Sequence, residues 1–287
     1  QMKRYRVPRI AFVNKMDKTG ADFFKCLSDI IDRLGAKPIA IQLPIGAESD
    51  FKGVIDLLQM KAFDFEGEHG EKVTEISIPE NMIEAAKAAR QMLLEKIVEN
   101  DDKLMSDYLE GKEIGLEDLR RVLRKAVLSL KIVPVVCGSA LKNKGVQLVL
   151  DAVIDYLPSP TDLPPVKGHD PKTNEEIERR PSDDEPFTAL AFKIATDPFV
   201  GSLTYFRVYS GKLSRGSYIL NSTKNNQERI GRILRMHAND REEVDEIYAG
   251  EIGALVGLKN TTTGDSLCDP EKPIILEKIT FPQPVIE

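Results

Sequence analysis

Asn14, Lys15 and Asp17 lie within four residues of one another, directly after the apolar run of residues 10–13. A single carboxylate can accept two hydrogen bonds at once, which suits the neighbouring N1–H and N2–H donors of guanine and not the edge that adenine presents. In that reading Asp17 takes the two donors, Asn14 fastens the loop and reaches the other edge of the base, and the methylene stem of Lys15 lies over the ring. The same residues also read as an exposed turn with a capping aspartate. A second polar turn, Ser139-Ala140-Leu141, follows the apolar run of residues 133–137. A small residue there lets a backbone N–H approach a carbonyl such as guanine O6. Ser139 could equally cap the helix that follows.

Both turns need strands that end where they begin. Residues 7–13 read as a buried strand of a parallel sheet, because the apolar run is continuous and stops abruptly at Asn14. In open α/β sheets that carboxyl edge is where ligands collect. Residues 22–34 carry Phe23, Leu27, Ile30, Ile31 and Leu34 at helical spacing, with Gly35 as the stop, and residues 38–43 resemble another short strand. Residues 51–78 change to short β-like runs with turn glycines at Gly53, Gly67 and Gly70. Two amphipathic helices follow: Ile83, Ala86, Leu93, Leu94, Ile97 and Val98 make the apolar face of one, from about Glu80, and Leu116, Leu119, Leu123, Ala126, Val127 and Leu130 make that of another. Residues 132–137 restore a buried strand and 146–157 a helix.

The expected organisation is therefore an α/β domain over residues 1–157 with an α+β insert at about 51–130, a proline-rich linker over 158–186, and an all-β barrel over 187–287. Barrel strands are expected at 188–194, 203–210, 217–220, 228–237, 251–256 and 266–268. Two domains agree with a length of 287 residues and 41% hydrophobic content. A net charge of −6 argues against indiscriminate nucleic-acid binding, so any RNA contact must be a local basic patch. Arg229, Arg232, Arg235 and His237 form such a patch on one expected strand, with Arg207 and Arg215 nearby in sequence; a solvated strand neutralised by Asp240, Glu242 and Glu243 reads equally well. Cys26, Cys137 and Cys268 are odd in number and far apart, which suggests neither a disulfide framework nor a zinc site and fits a reducing compartment. His69, His169 and His237 lack metal-ligand spacing, and no apolar run is long enough to span a bilayer. A monomer without a membrane anchor is expected.

At this point three long stretches resemble the translational GTPases, and within them elongation factor G, over essentially the whole chain. They are VPRIAFVNKMDKTGADF, GSALKNKGVQLVLDAVIDYLPSP and GRILRMHANDREEVDEIYAGEIGALVGLKNTTTGDSLCD. The resemblance implies a P-loop-type GTPase domain that binds GTP and GDP with Mg²⁺, and Asn14, Lys15, Asp17, Ser139, Ala140 and Leu141 as guanine-binding residues. It implies a ribosomal partner: small-subunit rRNA for the barrel and large-subunit stalk proteins for the insert. From charge alone, Glu84, Glu95, Glu99, Asp101 and Asp102 are equally a solvated acidic face. A cytoplasmic location follows, with an organellar parent also compatible.

The phosphate cradle G-x-x-x-x-G-K-S/T has no match here: Gly111-Lys112 is followed by Glu113, and Gly211-Lys212 by Leu213. In the resembling family the cradle, both switches and the residue that positions the attacking water all precede this region. The chain is therefore expected to be a piece of a translocase that moves tRNA and mRNA, with no catalytic residues of its own and no GTPase activity. Read as supplied, it is a non-catalytic ribosome-binding scaffold; a release-factor-recycling or ribosome-protection GTPase would share its base loops.

Overall fold

Residues 22–35 show how local chemistry sets the ends of an element. Asp22 accepts a hydrogen bond from the Lys25 amide, and the left-handed Gly35 (φ 55) closes the helix by donating to the Ile30 and Ile31 carbonyls. The computed structural model describes residues 2, 5–197, 201–237 and 240–276. The chain divides into two compact units, Gln1–Pro158 and Ser159–Glu287.

The first unit contains β1 (Ala11–Val13), α1 (Phe23–Leu34), β2 (Pro38–Ala40), β3 (Gln42–Ile45), β4 (Gly53–Asp56), β5 (Lys61–Glu66), β6 (Lys72–Ile76), α2 (Ile83–Val98), α3 (Asp102–Leu109), α4 (Leu116–Leu128), β7 (Val133–Cys137) and α5 (Val146–Tyr156). β7 is the middle strand of a parallel sheet ordered β1-β7-β2, and all five of its residues are buried. The register places Val13 opposite Cys137, so the two polar turns leave the sheet side by side. β1 is shorter than expected, since Val7 is exposed and Pro8 offers no N–H to a ladder.

The strand expected at residues 38–43 is in fact two. Ile41 donates to the Val135 carbonyl of the parallel sheet and accepts from Leu57, so the chain changes sheets at that residue. β3 then opens an antiparallel sheet ordered β3-β4-β5-β6. Ala86, Leu93, Ile97 and Val98 of α2, and Leu119, Val122, Leu123, Ala126 and Val127 of α4, join the same apolar core as β7. Burying each larger side chain contributes roughly 1.5–3 kcal/mol. Leu130 falls outside α4 in a left-handed conformation (φ 63) and does not extend its buried face. α3 was not expected; Asp101 starts it by accepting from the Leu104 amide at 3.1 Å.

The second unit contains β8 (Val166–His169), β9 (Glu176–Arg179), β10 (Thr188–Asp197), β11 (Gly201–Ser210), β12 (Leu213–Ser214), β13 (Tyr218–Asn221), β14 (Asn226–Arg229), β15 (Ile233–His237), β16 (Asp240–Val244), β17 (Glu246–Ile247), β18 (Ile252–Val256), β19 (Ser266–Cys268) and β20 (Ile275–Leu276). Eight of them form one antiparallel sheet ordered β14-β13-β19-β10-β11-β18-β15-β16. Ile219, near one end of that order, and Ile233, near the other, share a core with Phe206 and Leu267, so the sheet curls around its own apolar face as a barrel does.

Two expectations need correction. The stretch read as a linker contains the hairpin β8–β9, which pairs through β8 with β20. The strand expected at residues 228–237 is broken. Ile230 turns into the core, donating to the Ser217 carbonyl at 2.9 Å and accepting from Gly216 at 2.9 Å, and pairing resumes only at Ile233.

Candidate functional site

The ends of β1 and β7 are tied by backbone before any side chain acts. Gly138 donates to the Val13 carbonyl at 3.0 Å, and Met16 donates to the Gly138 carbonyl at 3.1 Å. Met16 is almost wholly buried, so it anchors the first loop from below while its neighbours Asn14 and Lys15 remain exposed. Lys15 adopts a left-handed conformation (φ 63), which turns the chain sharply enough to return Asp17 toward β7.

Side chains then cross between the loops. Asn14 Oδ1 accepts from the Lys15 amide at 2.7 Å and from the Ala140 amide at 2.9 Å, across 126 positions of sequence. The Ser139 hydroxyl donates to Asp17 Oδ1 at 2.6 Å, and the Lys18 ammonium lies 3.2 Å from Asp17 Oδ2. Ser139 is fully buried, exchanges backbone hydrogen bonds with Lys144 and does not cap α5, whose first flanking residue is the left-handed Gly145. Leu141 stands 80% exposed beside this cluster.

Five of the six expected residues thus share one hydrogen-bonded or adjacent set, and Leu141 extends from its rim. The Ser139 hydroxyl, with the Lys18 ammonium beside it, holds the Asp17 carboxyl below its ordinary value of 3.8. Because the folded-state value is depressed, the stabilising contribution is present above the unfolded value and is lost as pH falls through the folded one.

Several supporting residues carried no sequence signal. Gly138 has no room for a Cβ, which would lie 2.3 Å from the Lys144 carbonyl oxygen and 3.0 Å from the Phe12 ring. Lys18 had no assigned role in the sequence. Glu48 accepts from the Gly20 amide at 2.6 Å through its carboxylate, and its own amide donates to the Met16 carbonyl at 2.8 Å. Among the described residues, no group of three His, Cys, Asp or Glu side chains could hold a metal ion.

The basic patch in the second unit is dispersed. Arg229 ends β14, Arg232 lies in the connection, and only Arg235 and His237 are on β15. Arg235 pairs with Glu251 at 2.9 Å and with Glu242 at 3.5 Å, and His237 lies 3.5 Å from Glu242. Arg215 is held by Glu243 at 2.7 Å, while Arg207 lies over the Tyr209 ring. Arg229 and Arg232 are exposed and without an ion-pair partner among the described residues. On the helices of the first unit, Glu84 and Glu99 pair with Lys87 and Lys96, and Asp101 caps α3 and faces Arg121 at 3.5 Å.

Two family models match the chain: "Elongation factor Tu GTP binding domain" over residues 1–159 and "Elongation factor G domain 2" over residues 186–270. A parallel sheet with paired polar turns, followed by a curled β unit, defines part of a GTP-binding domain joined to its second domain. The chain belongs to the translational GTPases, with the domain pairing of an elongation factor G-like member. Its fold is similar to the crystal structure of protein ttk003000868 from Thermus thermophilus, with 29% identity and a TM-score of 0.77, covering 98% of this chain and 39% of that one. No helix among the described residues is long and apolar enough to cross a membrane.

Proposed function

We propose that the whole protein is a GTP-hydrolysing translocase that moves tRNA and mRNA through the ribosome, and that this chain supplies its guanine selectivity. The observation that carries the reading is the convergence of the Ser139–Asp17 and Ala140–Asn14 hydrogen bonds at the mouth of two parallel strands. Asp17 Oδ1 is oriented by Ser139, and the carboxylate accepts N1–H and N2–H of the base. Lys15 covers one ring face, Asn14 holds the loop against the Ala140 amide, and Ser139, Ala140 and Leu141 form the side next to O6. Mg²⁺ would accompany the triphosphate in the whole protein; among the described residues of this chain no group of three His, Cys, Asp or Glu side chains fits it.

Arg229 and Arg232, the cations of the patch without an ion-pair partner among the described residues, are the side chains best placed for rRNA phosphates, which position without reading sequence. The helices α2 to α4 are the proposed contact with stalk proteins, and the protein is proposed to work as a cytoplasmic monomer.

Competition binding tests the base reading. With labelled GDP on this chain, affinity should fall in the order GDP, IDP, ADP, because IDP lacks the 2-amino donor and ADP presents the wrong edge. Each lost charge-assisted bond should cost about tenfold or more. The same preparation should hydrolyse no GTP, since no phosphate cradle is present in its sequence. ADP binding as tightly as GDP would defeat the reading.

A further inference from the structure

The antiparallel sheet β3-β4-β5-β6 touches both base loops, at different points and with different chemistry. The connection after β3 carries Glu48 in a left-handed conformation (φ 55), unusual for a residue with a side chain. Gly46 lets the same connection close tightly, since a Cβ there would lie 2.1 Å from the Asp50 carbonyl oxygen. From this connection Glu48 holds Met16 through its amide and Gly20 through its carboxylate, one bond on each side of Asp17.

The turn between β5 and β6 holds the other loop. Gly70 lies so close to the loop after Ala140 that a Cβ would be 2.5 Å from the Lys142 carbonyl oxygen and 3.1 Å from that of Asn143. Gln147, in the first turn of α5, donates through Nε2 to the Gly70 carbonyl at 3.1 Å, across 77 positions of sequence. Lys144 adds a long contact to the Lys52 carbonyl at 3.4 Å. A single β element therefore braces the loop of Asp17 at one end and the loop of Ala140 at the other.

We propose that Glu48 and Gln147 are positioning residues for the base pocket, through which this antiparallel sheet fixes the separation of the two loops and so sets guanine selectivity. The inference rests on the guanine reading given above. Its geometric consequence is that loosening either brace moves Ala140 relative to Asn14, which no contact of Glu48 or Gln147 with a base is needed to explain.

Amide hydrogen exchange on the whole chain tests it, in wild type, Glu48→Ala, Gln147→Ala and Gly70→Ala. The Ala140 amide, bonded to Asn14, should exchange about tenfold faster in each variant. The Gly138 amide, bonded to the Val13 carbonyl, should keep its rate and so report that the strand pair is intact. The GDP-to-IDP affinity ratio should collapse toward unity in parallel, a change that lost global stability does not produce. Unchanged Ala140 exchange in both Glu48→Ala and Gln147→Ala would overturn the proposal. Faster exchange in a chain whose wild type does not distinguish GDP from ADP would support the brace and defeat the base reading instead.

Discussion

Asp17→Asn is expected to weaken GDP binding roughly 100-fold and to give the chain a preference for xanthosine diphosphate, measured by competition against a labelled nucleotide. Guanine offers two donors along one edge, so a carboxylate satisfies both. The asparagine amide offers an acceptor and a donor, which leaves one guanine donor facing an N–H. Xanthine carries a carbonyl at C2 and restores the match. Ser139 can still donate to the amide oxygen as it does to Asp17 Oδ1, so the loop keeps its tie to β7. The Lys18 ammonium loses its carboxylate partner, but its own side chain is exposed, so water can take over and the loss is small. An unaltered order of nucleotides in the variant would show that Asp17 does not face the base.

The second large effect is expected at Gly138. An added Cβ would meet the Lys144 carbonyl oxygen and the Phe12 ring, both fixed, and the first is backbone that cannot rotate away. Gly138→Ala should therefore destabilise the first unit by about 1–3 kcal/mol, read from urea unfolding. It should also abolish base selection altogether, because Gly138 carries backbone bonds to both Val13 and Met16. Gly20→Ala is the contrasting control for space: nothing lies within 4 Å of its Cβ, and its cost comes only from the left-handed backbone (φ 82). Equal behaviour of the two variants would refute the account.

The residues of the two polar turns were legible because their signal is local. Each is a short run of polar types set against the end of an apolar strand, and β1 and β7 then bring the runs together by register alone. Gly70 read as a turn residue, but the bracing contacts of Glu48, Gly70 and Gln147 were not legible, since they depend on where other segments fold and, for Glu48, on a backbone angle that its residue type does not announce. α3 had a readable start at Asp101, hidden by the charges around it.

The hairpin β8–β9 was hidden differently. Its prolines suggested an extended path, yet they fall outside the two strands, and Lys167 pairs across the strands with Glu176 and Glu178 at 2.7 and 3.2 Å. Proline here punctuates a small edge sheet without interrupting its ladder. The break at residues 230–232 was lost for a related reason: Ile230 is apolar enough to continue a strand, but it is spent on the core. The four basic residues that looked like one row are consequently spread over two strands and a turn.

The Asn14–Ala140 bond also has a timetable. Its partners are 126 positions apart, and so are made at different moments of synthesis. At 5–20 residues per second, Asn14 leaves the peptidyl-transferase centre on the order of ten seconds before Ala140 exists. During that interval β1 has no β7 to lie against, and its apolar residues are open to whatever else the nascent chain offers. Slowing elongation between these two positions should lengthen that exposed period, so the pocket's assembly is tied to the pace of the translation machinery as well as to the stability of the finished fold.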